Sequence, residues 1–156
     1  MSILKLEAEF DYIEDIKALK KALKNFNVDI VMNIPIIEFK YIFNEYLIDN
    51  LDINLFDYDV SITDTVSTIT VDMSYVKEES DYEYEYIINE LKLHFGKSII
   101  KIEDDDDNAV GIINIKAALR MVFSNASEIN IVDDSINLKI SIGEVDDKFI
   151  KKYFLD

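Results

Sequence analysis

The sequence predicts an α+β fold: a mainly antiparallel sheet built from hairpins, with two N-terminal helices and shorter helices near 116–124 and 145–154. Two observations predict it. Apolar residues recur with helical spacing in some segments and alternate in others. The chain is 49% hydrophobic with only three Gly and one Pro, so it lacks the composition of disorder. Since 156 residues suit one domain, we expect a single domain spanning 1–156.

The N-terminal third predicts a strand followed by two helices. Apolar and charged residues alternate over 4–10, which is the period of a half-buried strand. Over 11–26 the apolar residues take helical spacing, with acids in the first turn and lysines toward the end. After an apolar run at 28–32, a second helix is predicted to begin at Pro35 and to end near Leu51.

The middle of the chain is ambiguous between strand and helix. From Val60 the period is two, and a strand is predicted through 69–75. The segment 81–95 that follows can be a returning strand. It can also be a helix with five apolar residues on one face: Tyr84, Ile87, Ile88, Leu91 and Phe95.

Strand register favours the first alternative. A four-residue loop would place Tyr82 opposite Tyr75 and Ile88 opposite Ile69, with apolar residues matched throughout. We therefore prefer a hairpin, with 91–95 continuing the β pattern. The other face of this hairpin would bring three like charges together: Asp72, Glu83 and Glu85.

The C-terminal third predicts alternating hairpins and helices. Strands at 98–103 and 109–115 are separated by an acidic turn at 103–108, and a helix follows at 117–123. The remaining elements are a hairpin of 128–132 with 136–142 across Asp133 and Asp134, and a terminal helix at 145–154.

The acidic residues are concentrated in the middle of the chain. The formal net charge is −16, and between Glu45 and Glu90 thirteen Asp and Glu residues face one base, Lys77. A surface of one sign repels nucleic acid and anionic membranes, and it attracts basic proteins. We therefore expect a basic protein partner, with neither direct nucleic-acid binding nor membrane binding.

The aspartate run at 104–107 is the obvious candidate for a metal site, because hard cations prefer carboxylates. Its spacing argues against calcium. In an EF-hand loop that began at Asp104, Ala109 would occupy the glycine position and Ile115 the glutamate position. We favour a solvated turn that deters edge pairing, or a partner contact, and predict no metal.

The residues for a common catalytic site are scarce. His94 and Arg120 are the only residues of their types, and there is no cysteine. A triad or an arginine clamp on phosphate is therefore not indicated. The three glycines are isolated, so no phosphate-binding loop is predicted. We expect a non-enzymatic protein without a cofactor.

The aromatic residues have two interpretations. Tyr75, Tyr82, Tyr84 and Tyr86 are either one core face, which we prefer, or interface anchors. The segment 56–59 alternates aromatic and acidic residues outside any strong strand, as protein-recognition segments do.

These observations lead to a candidate binding surface for a basic partner. In general character, as a small, acidic, cysteine-free chain, it is similar to anti-CRISPR proteins and other nucleic-acid mimics. It is equally similar to immunity proteins that neutralise basic toxin nucleases. The candidate partner-binding residues are Phe56, Asp57, Tyr58, Asp59, Asp64, Asp72, Glu78, Glu79, Asp81, Glu83, Glu85, Asp104, Asp105, Asp106 and Asp107.

The leading functional prediction is an inhibitor from a phage or mobile element that binds a nucleic-acid-binding protein. The alternatives are an immunity protein, or a phage structural or assembly accessory protein or chaperone. The first residues lack the apolar core of a signal peptide, and with no cysteine we expect a cytoplasmic location. A homodimer stays open; it would join through the less acidic terminal portions.

Overall fold

The computed structural model describes residues 29–141, whose helices and antiparallel sheets form an α+β fold. By its contacts the chain divides into two compact units, one of residues 1–34 with 123–156 and one of 35–122. The predicted strand at 4–10 and the predicted helices at 11–26 and 145–154 lie outside the described residues. The single domain stays a prediction.

The described elements follow the order of an α+β chain. The strands are β1 (Asp29–Pro35), β2 (Ser61–Asp64), β3 (Thr68–Asp72), β4 (Ile99–Asp104), β5 (Ala109–Asn114), β6 (Ala126–Val132) and β7 (Ser135–Ser141). The helices are α1 (Phe39–Leu51), α2 (Ser74–Glu79), α3 (Asp81–Phe95) and α4 (Ile115–Val122), with 3₁₀ turns at Ile36–Glu38, Leu55–Tyr58 and Gly96–Ser98.

The unit of 35–122 is built on an antiparallel sheet of order β2-β3-β5-β4. Its two hairpins, β2–β3 and β4–β5, join through β3 and β5, where Val71 lies opposite Gly111. Alternate residues such as Ile69, Val71 and Ile113 are buried. Helix α4 contacts β3 and β5, and α1 contacts β2, so helices cover this sheet.

Helix α1 confirms the helix predicted from Pro35 to Leu51. Phe39, Phe43 and Leu47 recur every four residues and are fully buried, so one face of the helix enters the core. The helix ends where Asp52 takes a left-handed conformation with φ 55°. Asn44, also buried, accepts a hydrogen bond from the Leu55 amide at 2.8 Å and fastens the following turn.

The preferred hairpin of 69–75 with 82–88 is wrong, because residues 81–95 form helix α3. The five residues on the apolar face of the alternative helix are all buried: Tyr84, Ile87, Ile88, Leu91 and Phe95. The prediction of β structure at 91–95 is wrong for the same reason.

Local capping explains why a helix forms here. The Ser80 hydroxyl accepts a hydrogen bond from the Glu83 amide at 3.3 Å, and Asp81 and Glu83 place negative charge in the first turn. Strand β3 stops at Asp72, whose carboxylate accepts a hydrogen bond from the Ser74 amide at 3.0 Å and begins α2. Asp72 and the two glutamates, Glu83 and Glu85, therefore do not share a hairpin face.

The other hairpins predicted in the described residues are confirmed. Strands β4 and β5 are joined by a turn in which the Asp105 amide donates to the Asn108 carbonyl at 3.0 Å. Helix α4 lies at the position predicted for the third helix.

In the unit of 1–34 with 123–156, the described strands form a sheet of order β1-β7-β6. Strands β6 and β7 pair antiparallel with Val132 opposite Ser135, and Asp133 in the turn has φ 54°. Ile136, Leu138 and Ile140 alternate into the core from β7.

Two leucines on α3 distinguish helix from strand in solution. Leu91 is 2% exposed and Leu93 is 81% exposed, although residues two apart would share one face of a strand. We expect Leu91→Ala to lower the free energy of unfolding by about 2–5 kcal/mol through the cavity it leaves. Leu93→Ala is the matched control and should change it by no more than about 0.5 kcal/mol. Urea unfolding followed by circular dichroism measures both, and equal losses would contradict the helix.

Candidate functional site

The structure brings one part of the predicted acidic surface together in a cleft. The cleft has a volume of about 660 Å³ and lies within the unit of 35–122, where α2, the start of α3 and the β4–β5 turn meet. We call it the acidic cleft, and it is lined by Ser74, Tyr75, Lys77, Glu78, Asp81, Asp106, Asp107 and Asn108. Four of these eight residues carry carboxylates.

Lys77 fastens the two sides of the acidic cleft. Its Nζ donates to Asp104 Oδ1 at 2.5 Å and to the Asp105 carbonyl oxygen at 2.6 Å, across 27 and 28 residues of sequence. The same ammonium lies 5.6 Å from the centre of the Tyr84 ring, within range of a cation–π contact. Lys77 therefore ties the acidic turn to helices α2 and α3.

The aspartate run is an ordered turn rather than a free acidic tail. Asp105 Oδ1 accepts hydrogen bonds from the backbone amides of Asp107 at 3.0 Å and Asn108 at 2.8 Å. These side-chain hydrogen bonds satisfy backbone amides at the tip of the hairpin, where the strands no longer pair. Next to it, the Ala109 amide donates to the Ser74 hydroxyl at 3.0 Å, which holds the turn against the start of α2.

These contacts favour the ionised forms of Lys77, Asp104 and Asp105 and the neutral form of Tyr84. The hydrogen bond from Lys77 lowers the pKa of Asp104, and the backbone amides of Asp107 and Asn108 lower the pKa of Asp105. The hydrogen bond to Asp104 raises the pKa of Lys77. Burial, together with the adjacent Asp104, raises the pKa of the Tyr84 phenol. One positive charge is thus surrounded by several carboxylates.

Besides Asp104 and Asp105, two further acids among the predicted partner-binding residues serve the fold. Asp64 Oδ2 accepts a hydrogen bond from the Lys40 amide at 2.8 Å, so it satisfies an otherwise free donor at the start of α1. Asp72 satisfies the Ser74 amide in the same way at α2. Glu79, Glu83 and Glu85 are exposed on α2 and α3.

The aromatic and acidic segment at 56–59 lies on a different part of the chain, in and just after the 3₁₀ turn that follows α1. Asn54 Oδ1 accepts a hydrogen bond from the Phe56 amide at 3.2 Å, and the Phe56 ring lies 5.9 Å from the Tyr41 ring. Asp59 ends the turn with φ 57°. Phe56 and Asp57 are exposed, which leaves them available to a partner.

The preferred interpretation of the four tyrosines as one core face is wrong. Tyr84 is buried, whereas Tyr75 on α2 and Tyr82 and Tyr86 on α3 are exposed. The residue that sequence reasoning missed is Lys77. Its signal was present, because it is the one base among thirteen acids between positions 45 and 90.

Within residues 29–141, no group of three or more His, Asp or Glu side chains is arranged to hold a metal ion. His94, which is half-buried on α3 rather than in a strand, has its Nε2 2.7 Å from the Tyr46 hydroxyl. Burial raises the pKa of Tyr46. Arg120 is exposed on α4.

Comparison with known protein families, curated proteins and solved structures finds nothing that matches this chain. None of the helices between residues 29 and 141 has the length and apolar character needed to cross a membrane.

The pairing of Lys77 with Asp104 makes stability depend on pH in a defined direction. A carboxylate whose pKa is lowered by folding stabilises the fold above its ordinary pKa of 3.8, and this contribution disappears as the pH falls through the lowered value. We expect Asp104→Asn to be less stable than Asp107→Asn at pH 7, although both remove one negative charge from the same turn. The gap should narrow as the pH falls below 3.8 and through the lowered pKa of Asp104, as measured by urea unfolding. Equal urea midpoints at pH 7 would show that Lys77 does not fasten the turn.

Proposed function

We propose that this protein is a non-enzymatic inhibitor that binds a basic, nucleic-acid-binding protein through the acidic cleft. Its setting would be the cytoplasm of a cell in which a phage or mobile element counters a defence system. The observation that carries the proposal is the engagement of Lys77, the one base of the acidic stretch, with Asp104 and the Asp105 carbonyl. The remaining carboxylates of the cleft come from the stretches 45–90 and 103–108, which contain no other lysine or arginine.

The arrangement of the cleft favours binding over mere solubility. Asp106 and Asp107 lie in a turn whose backbone is held by Asp105, Glu78 lies on α2, and Asp81 is in the first turn of α3. Charges that are already held in place lose less conformational entropy when a partner binds. Such a field would attract lysine and arginine side chains that otherwise contact phosphates, and it would compete with nucleic acid for them.

Salt dependence separates this proposal from an assembly or chaperone role. A contact made mainly by charges should weaken steeply from about 0.1 M to about 1 M salt, because the Debye length falls from about 10 Å to about 3 Å. A packed assembly interface would lose much less. An immunity protein would share the salt dependence, so the identity of the bound protein decides between the two inhibitor roles.

The proposal predicts a charge-specific partner. We expect affinity capture from a native host lysate at low salt, followed by mass spectrometry, to retain a basic nucleic-acid-binding protein. The cleft variant with Glu78→Gln, Asp81→Asn, Asp106→Asn and Asp107→Asn should weaken its binding at least about tenfold, since close charge pairs dominate such interfaces. Added protein should also displace a labelled DNA or RNA duplex from the purified partner.

The control variant carries Asp57→Asn, Asp59→Asn, Asp133→Asn and Asp134→Asn. It loses the same four charges on other segments, and two of its positions have the left-handed backbone that Asn tolerates. It should bind as the unmodified chain does. Equal weakening in both variants would show that only net charge matters. Weakening in the control alone would place the site at 56–59 or at the turn of Asp133 and Asp134. Capture of proteins that bind no nucleic acid would refute the inhibitor proposal.

A further inference from the structure

Helix α3 carries an apolar stripe on the side that faces away from the core. Tyr82, Tyr86, Asn89 and Leu93 follow one another at intervals of four, three and four residues, so they share one face. Tyr82 is 83% exposed, Tyr86 46% and Leu93 81%. The buried residues of the same helix, centred on Tyr84 and Leu91, lie on the opposite face. We call these four exposed residues the outer stripe.

This distribution is unusual for a helix on a protein surface. The solvent side of an amphipathic helix normally carries polar and charged residues. On α3 the charged residues instead flank the outer stripe, with Glu83 and Glu90 on one side and Glu85 and Lys92 on the other. Two tyrosines and a leucine with a border of three glutamates and one lysine have the composition of a protein interface, in which aromatic anchors are surrounded by polar residues.

We propose that the outer stripe docks a basic amphipathic helix of another protein. The helix would place apolar side chains on Tyr82, Tyr86 and Leu93 and lysines or arginines beside the flanking glutamates. From Tyr82 to Leu93 the stripe runs about 16 Å along one straight element, at a rise of 1.5 Å per residue. That length suits partner residues spaced i, i+4, i+7 and i+11, which is how helices are recognised.

Charge complementarity selects this occupant over the others. A second copy of the chain would bring a border of three glutamates and one lysine against an identical border, and the net negative charge on both sides opposes this contact. Nucleic acid could stack on the tyrosines, but its phosphates would meet the flanking carboxylates. The same repulsion disfavours an anionic membrane. A basic partner removes the repulsion and also covers the apolar side chains.

This proposal goes beyond the acidic cleft, because the outer stripe shares no residue with the cleft lining. At the outer stripe the partner would contact apolar anchors on a helix of this chain, whereas binding at the cleft needs only positive charge on the partner. The two surfaces can therefore be tested separately.

The test uses a synthetic helix as the probe. A labelled 18-residue peptide of leucine and lysine, with the leucines at helical spacing, is titrated against the full chain and followed by fluorescence anisotropy. We expect Tyr82→Ala, Tyr86→Ala and Leu93→Ala together to raise the Kd at least about tenfold, since exposed anchors of this kind carry most of the affinity. Ile37→Ala, Val66→Ala and Val132→Ala form the control, because these apolar residues are exposed elsewhere.

The remaining outcomes decide the proposal. The four-residue cleft variant should keep its affinity for the peptide, so failure at the stripe and failure at the cleft are distinguishable. A peptide of the same composition with its leucines scrambled around the helix should bind more weakly, and a leucine–glutamate peptide should not bind. No binding of the leucine–lysine peptide, equal binding of the scrambled peptide, or an unaffected Kd in the triple variant would each overturn the proposal. A dimer seen by sedimentation and lost in the triple variant would assign the stripe to a second copy.

Discussion

The acidic cleft depends on the contact in which Lys77 holds Asp104 and the Asp105 carbonyl. The Ala109 amide also bonds Ser74 here, but Lys77 supplies the positive charge that offsets repulsion between the acidic β4–β5 turn and the acidic α2–α3 segment. These two segments form the walls of the cleft. Lys77 pairs with one carboxylate, that of Asp104. It therefore holds the acidic segments together while most of their negative charge remains. A single lysine therefore connects the acidic segments of the fold.

Other acids that were expected to contact a partner also have structural roles. Asp64 and Asp72 satisfy backbone amides at the starts of α1 and α2, and Asp105 orders its own turn. A carboxylate at such a position satisfies a free donor and interacts favourably with the helix dipole. The charge of the sequence is therefore divided between acids that build the scaffold and acids, such as Asp106 and Asp107, that face solvent.

Sequence reasoning succeeded where one local period has no competing one. The alternation of residues predicts β5 and β7, and Pro35 with the apolar residues that follow predicts α1, because these periods are set by the faces each element buries. It failed where the decisive contact spans many residues, since the bond between Lys77 and Asp104 has no local signature. The sequence shows that the acids cluster, but it does not assign Asp64 and Asp72 to helix starts.

The wrong prediction of a strand at α3 is caused by tyrosines that also belong to the proposed docking surface. Tyr82, Tyr84 and Tyr86 alternate with acids, which imitates the period of a strand, yet Tyr84 packs into the core while its two neighbours face solvent. A helix that served stability alone would place polar residues at the two exposed positions, and its period would then have been clear. Local rules and the global fold agree at most positions of a natural protein, and conflicts between them concentrate where residues serve binding. Tyr82 and Tyr86, which helped to obscure the helix, are exposed to solvent, and binding to the proposed partner would explain their presence where folding does not.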